Sequence, residues 1–270
     1  MWRTTYDFVL ALARLIRLPN ALAIALLYLA ASRYAATGSL QFIIISASAW
    51  FLAASASYLF NDLVDVHVDA INCPSRPLLH GDISRRAAIC AGLVIIMTDL
   101  LLCLALRPDV SLWPLLGLSG GLFYSSFVRY RSAAAANILT ATLIAVVPLS
   151  ASPERRWPLV FIAVFLFAVT LARELKKDIL DYEGDKQFRP EPVLRRYPRF
   201  GKLLFAFLIV AGLSATVMEC GLSRSFSFCV SGMPLLLIIF NSAGRNNASL
   251  DSRLLKLAAY SSVPALFLAM

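Results

Sequence analysis

The sequence predicts an all-α polytopic membrane protein: one domain, residues 1–270, with nine transmembrane helices. Three observations carry that expectation. Hydrophobic residues make up 59% of the 270 positions and charged residues only 15%, and the mean hydropathy is +0.73; a soluble domain of this size does not hide so much apolar surface. Apolar runs of about 17 to 25 residues, each long enough to cross roughly 30 Å of hydrocarbon, recur from end to end. The runs are continuous and do not alternate with period two. This selects helices over barrel strands in a solvent that cannot satisfy free backbone groups.

In chain order the expected spans are 8–32, 41–60, 87–106, 112–127, 133–151, 157–173, 203–220, 226–241 and 254–270. The first follows Met1 to Asp7, which carries one arginine and no small-residue cleavage site, so it reads as a retained span and not a signal peptide. All 25 Lys and Arg residues except Arg33, Arg107, Arg155, Arg156 and Arg224 fall on the side of the N-terminus and of loops 61–86, 128–132, 172–202 and 242–256. That side is expected to be cytoplasmic, which puts Met270 on the opposite face of an integral, multi-pass protein. The net charge of +9 is then a topological signal, and no nucleic-acid partner is expected. Cys73, Cys90, Cys103, Cys220 and Cys229 show no CxxC spacing and are assigned no role. His67 and His80 are too few for a histidine metal site.

The two long loops on the basic side begin with acids at one spacing. Asp62, Asp65 and Asp69 follow the second span, and Asp178, Asp181 and Asp185 follow the sixth. Each set is i, i+3, i+7. On a helix continued past the membrane edge, that spacing stacks three carboxylates on one face. The sets lie four spans apart, as expected if spans one to four and five to eight are related halves. Like charges so placed repel unless a cation neutralises them, and oxygen-only donors suit Mg²⁺, which is commonly shared between carboxylates and substrate phosphate. A diphosphate bridged in this way is a better leaving group. Arg76, Arg129, Arg131, Lys176, Lys177 and Lys186 stand near enough in sequence to clamp phosphate; basic residues on cytoplasmic loops are also expected on topological grounds alone.

These motifs resemble the UbiA superfamily of intramembrane prenyltransferases. The first carrier runs from Asn61-Asp62-Leu63-Val64-Asp65 to Asp69, then Ala70-Ile71-Asn72, Arg76-Pro77 and Gly81-Asp82. The second is Arg173-Glu174, then Lys177-Asp178-Ile179-Leu180-Asp181-Tyr182-Glu183-Gly184-Asp185-Lys186. Tyr124-Ser125 with a basic residue soon after, Asn137 and Arg17-Leu18-Pro19-Asn20 also look like family positions. The resemblance implies nine helices around a central cavity capped by the aspartate loops. It also implies Mg²⁺-assisted departure of diphosphate from a polyprenyl donor, an allylic carbocation, and capture by a lipophilic or aromatic acceptor. By position, Asp62, Asp65, Asp69, Asp178, Asp181 and Asp185 become the catalytic and metal-holding residues. Asn20, Asn61, Arg76, Tyr124, Arg129, Asn137, Lys177 and Lys186 become substrate-binding residues. The wording of the second motif is similar to geranylgeranylglyceryl phosphate geranylgeranyltransferases. From Gln187 to Lys202 the chain is longer and more basic than the family's usual turn into the seventh span.

Two other functions stand beside transfer. A cyclase of the same superfamily would fold the donor onto itself in an aromatic-lined cavity, for which Phe123, Tyr124, Trp157 and Phe161 are available. A cation-coupled transporter would need acids at midspan, where Asp99 is the clear case.

Overall fold

The computed structural model describes residues 5–36, 38–152, 156–220, 250 and 253–260. Among them every regular element is helical. In chain order these are α1 (Thr5–Leu15), α2 (Leu18–Tyr34), α3 (Leu40–Val64), α4 (Val66–Asn72), α5 (Pro77–His80), α6 (Arg85–Leu104) and α7 (Pro108–Phe123). A π-helical turn, Tyr124–Val128, leads into α8 (Arg129–Arg131), followed by α9 (Ala133–Leu149), α10 (Arg156–Leu180), α11 (Tyr182–Asp185), α12 (Val193–Arg196) and α13 (Pro198–Cys220).

Helix starts follow local chemistry. Ser39 and Ser84 cap α3 and α6, accepting from the amides of Phe42 and Ala87, and Pro108 opens α7 at a position that needs no amide donor. Expected spans from 8–32 to 203–220 each fall on a helix or a helix pair, whereas 226–241 and most of 254–270 lie outside the described residues. Among the described residues α3 and α6 are long and apolar enough to cross a membrane. A third is added if α1 and α2, bent by 61°, count as one span. That bend corrects the single helix expected over 8–32. Pro19 has no amide donor and its ring crowds the preceding turn, so the chain breaks before it, with Arg17 taking a left-handed φ of 50°.

The chain forms two compact units. The first comprises residues 1–25, 39–132 and 183–190; in it α3 packs against α6 and α7. Ala11, Leu15, Ile16, Leu59, Ile83 and Ala88 form one buried cluster, and Ala53, Ala56 and Leu118 form another. Small residues let the helix backbones approach closely, as in lipid-embedded bundles. Gly121 shows how closely. A Cβ there would run into the Ser57 hydroxyl and lie 2.6 Å from the Ser57 Cβ. Gly121→Ala is therefore expected to destabilise the protein by about 1–3 kcal/mol through overpacking, measured as a lower thermal midpoint in detergent. On α6, Leu93, Val94, Met97, Leu101 and Leu104 are exposed, Leu104 by 82%, a stripe suited to hydrocarbon.

The second unit comprises residues 26–38, 133–182 and 191–270. Its described helices α9 and α13 both pack on α10, which buries Leu159, Ile162, Phe165, Leu166, Val169 and Leu175.

Candidate active site

Both acidic motifs break where the sequence pattern predicted a continuous helix. α3 ends at Val64 and α4 starts at Val66, with Asp65 between them at φ −86°, ψ 10°. α10 ends at Leu180 and α11 starts at Tyr182, leaving Asp181 at the joint. Each motif thus turns at its middle aspartate, which corrects the expectation of three carboxylates stacked on one helix face. The acids still repel one another across the break, and arginines shared between them offset that repulsion.

In the first unit Asp62, buried at 3% exposure, accepts on Oδ1 from Arg17 at 3.0 Å and from Arg76; its buried Oδ2 has no hydrogen-bond partner. Arg76 Nε also lies 3.4 Å from Asp69 Oδ2. Burial lifts the Asp69 carboxyl to about 6; Arg76 opposes the rise, and the charges of Asp62 and Asp65 add to it. Burial is likewise the largest influence on Arg76, working against its charge, yet Asp62 and Asp69 together hold its proton more tightly than usual.

Asp65 is saturated. Its Oδ2 takes Arg129 and the Asn61 amide at 3.1 Å, and its Oδ1 takes the Tyr130 hydroxyl at 3.2 Å, with Arg189 Nη2 at 2.8 Å. The π-helical turn delivers part of this set. Such a turn inserts an extra residue and re-aims the side chains beyond it. Ser125 Oγ reaches Asn61 Oδ1 at 3.3 Å, and Arg129 lands on Asp65 and Asn61 while its guanidinium lies 5.3 Å from the centre of the Tyr124 ring.

The last acid of the second motif belongs to this same unit. Asp185 Oδ1 accepts from Arg189 Nη1 at 2.7 Å, and the Gly184 amide donates to Asn72 Oδ1 at 3.0 Å. Lys186 forms a surface ion pair with Glu183. Asn20 occupies the first turn of α2, its amide bonded to the Arg17 carbonyl. In the second unit, Asn137 Nδ2 donates to Asp178 Oδ2 at 2.7 Å and Lys177 Nζ lies 3.6 Å from Asp181 Oδ2. Arg17, Asn72 and Ser125 fall within the family-like motifs of the sequence without being assigned a site role there, and Tyr130 and Arg189 were given none. Pro19 after Arg17 and the excess of basic residues after Asp185 were the signals available.

Among the described residues no three Asp, Glu, His or Cys side chains gather closely enough to enclose a cation by themselves. Carboxylates here alternate with guanidiniums. A hard divalent cation nevertheless fits the donor chemistry: the carboxylates are oxygen ligands, and Asp62 Oδ2 is a buried acceptor with nothing to accept from. Mg²⁺ characteristically takes one or two carboxylates and fills its remaining positions with water and phosphate oxygen.

Apolar helices whose ends carry carboxylates paired with arginines define the class: a helical integral membrane protein. A family model described as the UbiA prenyltransferase family matches residues 21–263. The digeranylgeranylglyceryl phosphate synthase of Pyrococcus horikoshii is 31% identical over 170 residues, covering 59% of this chain and 60% of that protein. A solved structure from work on digeranylgeranylglyceryl phosphate synthase in membranes superposes with a TM-score of 0.74 at 18% identity, over 97% of this chain and 98% of that one. A UbiA homologue from Archaeoglobus fulgidus bound to GPP and Mg²⁺ superposes with a TM-score of 0.69 at 20% identity, over 96% and 99%. The chain belongs to the UbiA prenyltransferase family.

Proposed function

We propose that this protein transfers a prenyl group from a polyprenyl diphosphate to a lipophilic acceptor within the membrane. A prenylated glycerol phosphate is the acceptor class that the name of its relatives points to. The reading includes nine spans with both aspartate loops on the cytoplasmic side. One observation carries it: Asp65 and Asp185, one from each acidic motif, meet on a single guanidinium. A group as small as that is therefore within reach of both motif ends. The homologue with GPP and Mg²⁺ bound supports the same choice of ligands.

Asp62, Asp65, Asp69 and Asp185, with Asp178 and Asp181, would hold Mg²⁺. Bound there, it would supply the positive charge that turns diphosphate into a better leaving group. The remaining work falls to the chain. Arg76, Arg129 and Arg17 present fixed N–H forks beside the carboxylates, a geometry that suits phosphate oxygens equally. Asn137 orients Asp178 by its hydrogen bond, Asn61 orients both Asp65 and Arg129, and Lys177 stands one turn before Asp181. Asp62, Asp65 and Asp69 are buried, so a diphosphate held by them would depart away from bulk water, which favours capture of the allylic carbocation by the acceptor.

The test is incubation of purified protein with labelled geranyl, farnesyl and geranylgeranyl diphosphates, with and without prenylated glycerol phosphate and with and without a chelator, followed by product mass analysis. A mass gain of one prenyl unit on the acceptor, lost with the chelator, is the expected result. A hydrocarbon formed from the donor alone would mean cyclisation, and turnover indifferent to chelation would remove the cation from the mechanism.

A further inference from the structure

We propose that Arg189 is a positioning residue: an internal counter-ion that holds Asp65 and Asp185 together when no divalent cation is bound, and that competes with the cation for them. The inference rests on the assignment of those two acids as cation ligands.

The geometry is specific. The Arg189 side chain is 11% exposed, with Nη2 2.8 Å from Asp65 Oδ1 and Nη1 2.7 Å from Asp185 Oδ1. Its amide bonds the Asp185 carbonyl at 2.8 Å, so the arginine and one of its acids sit on the same turn. The guanidinium lies 6.0 Å from the centre of the Tyr130 ring, and Tyr130 in turn donates to Asp65. Arg189 Nε and Nη2, both buried, have no hydrogen-bond partner, so Asp185 holds the guanidinium by a hydrogen bond and Asp65 by an ion contact at 2.8 Å. The two carboxylates are thus the guanidinium's anchors. Arg129, the other arginine on Asp65, is tied additionally to Asn61.

Geometry decides the competition. Asp65 and Asp185 with Arg129 and Arg189 are two carboxylates and two guanidiniums, already neutral, so a divalent cation there would have to displace a guanidinium. Asp65 already accepts three hydrogen bonds and carries the Arg189 ion contact, so a divalent cation would have to displace one of these groups. Of its two cationic contacts, Arg129 donates a hydrogen bond to Asp65 Oδ2, whereas Arg189 Nη2 makes an ion contact without hydrogen-bond geometry, so Arg189 is the one displaced. Asp62 Oδ2, a buried oxygen without a hydrogen-bond partner, would hold a divalent cation without displacing a donor, whereas Asp65 and Asp185 would hold one only as Arg189 withdrew.

The experiment uses the full chain in detergent micelles, with Mn²⁺ as the spectroscopic and calorimetric probe and Mg²⁺ as the stabilising ion, and compares wild type with Arg189→Gln and Arg189→Lys. For Arg189→Gln, the expected result is a lower thermal midpoint than wild type under chelation, a gap that closes in saturating Mg²⁺, and Mn²⁺ affinity raised roughly tenfold by loss of one competing charge contact. Arg189→Lys, which keeps the charge but not the two-armed fork, is expected to fall between. An equal loss of midpoint with and without Mg²⁺ would reduce Arg189 to a structural part and overturn the proposal. So would Mn²⁺ affinity that is unchanged or weaker in Arg189→Gln while wild type binds the ion normally. Failure of wild type itself to bind Mn²⁺ would overturn the cation assignment together with the inference built on it.

Discussion

Asp62→Asn and Asp178→Asn are each expected to lower Mg²⁺-dependent release of diphosphate by about 10²-fold or more, the cost of removing a preorganised charge at a reacting centre, while leaving the protein folded in the membrane. Asp62 holds two arginines on one oxygen and leaves the other open. The amide keeps the shape of the side chain but removes the negative charge, so a bound cation would lose a proposed ligand and Arg17 and Arg76 lose their common counter-charge. Asp178 is held by Asn137 at 2.7 Å, and its replacement tests the second motif independently of the first. The measurement is pyrophosphate release from a prenyl diphosphate with and without Mg²⁺, alongside size-exclusion profiles of the extracted protein. Wild-type turnover in both variants would be incompatible with the proposed reaction.

Gly184→Ala is expected to cost nearly as much activity by a different route. A Cβ at Gly184 would lie 2.6 Å from both Cγ and Oδ1 of Asn72 and 2.7 Å from its Nδ2, and the Gly184 amide would lose its acceptor as Asn72 moved away. Asp185 is the next residue and Arg189 is bonded back to it, so a displacement passes straight into the acidic site. Misplacement by about 1 Å costs on the order of 10²-fold in rate, and overpacking adds about 1–3 kcal/mol of destabilisation. Pairing the change with Asn72→Ala, which opens the space, is expected to recover part of both losses. Such coupling distinguishes a clash from general damage. The checks are kcat/KM and thermal midpoint across the four proteins of the cycle. Full activity in Gly184→Ala alone would show that the contact does not position Asp185.

What could be read from the sequence depended on whether the cause was local. The helices over 40–64 and 85–104 follow from runs of apolar residues, and the six aspartates follow from spacing alone. The breaks at Asp65 and Asp181 do not, because an i, i+3, i+7 pattern looks the same on an intact helix as on one that turns at its middle acid. The bend at Arg17 was signalled by Pro19, but a 25-residue apolar run outweighed it in the sequence reading. The π-helical turn at Tyr124–Val128 has no local signature here, and it decides where Ser125 and Arg129 point. Arg189 was visible only as one more basic residue in a loop. Its pairing with Asp65, 124 positions earlier, depends on tertiary burial, which composition cannot express.

The segment 183–190 packs with the first unit although α9 and α10 precede it in the chain. Translation therefore sets an order. Asp65 and Asn72 leave the ribosome long before Arg189 and Gly184 do, and the nascent first half waits for its last pieces while two further helices are threaded. A polypeptide cut after Ser132 would possess every element of the early half yet lack the eight residues that finish it, so maturation of one half is tied to synthesis of the other.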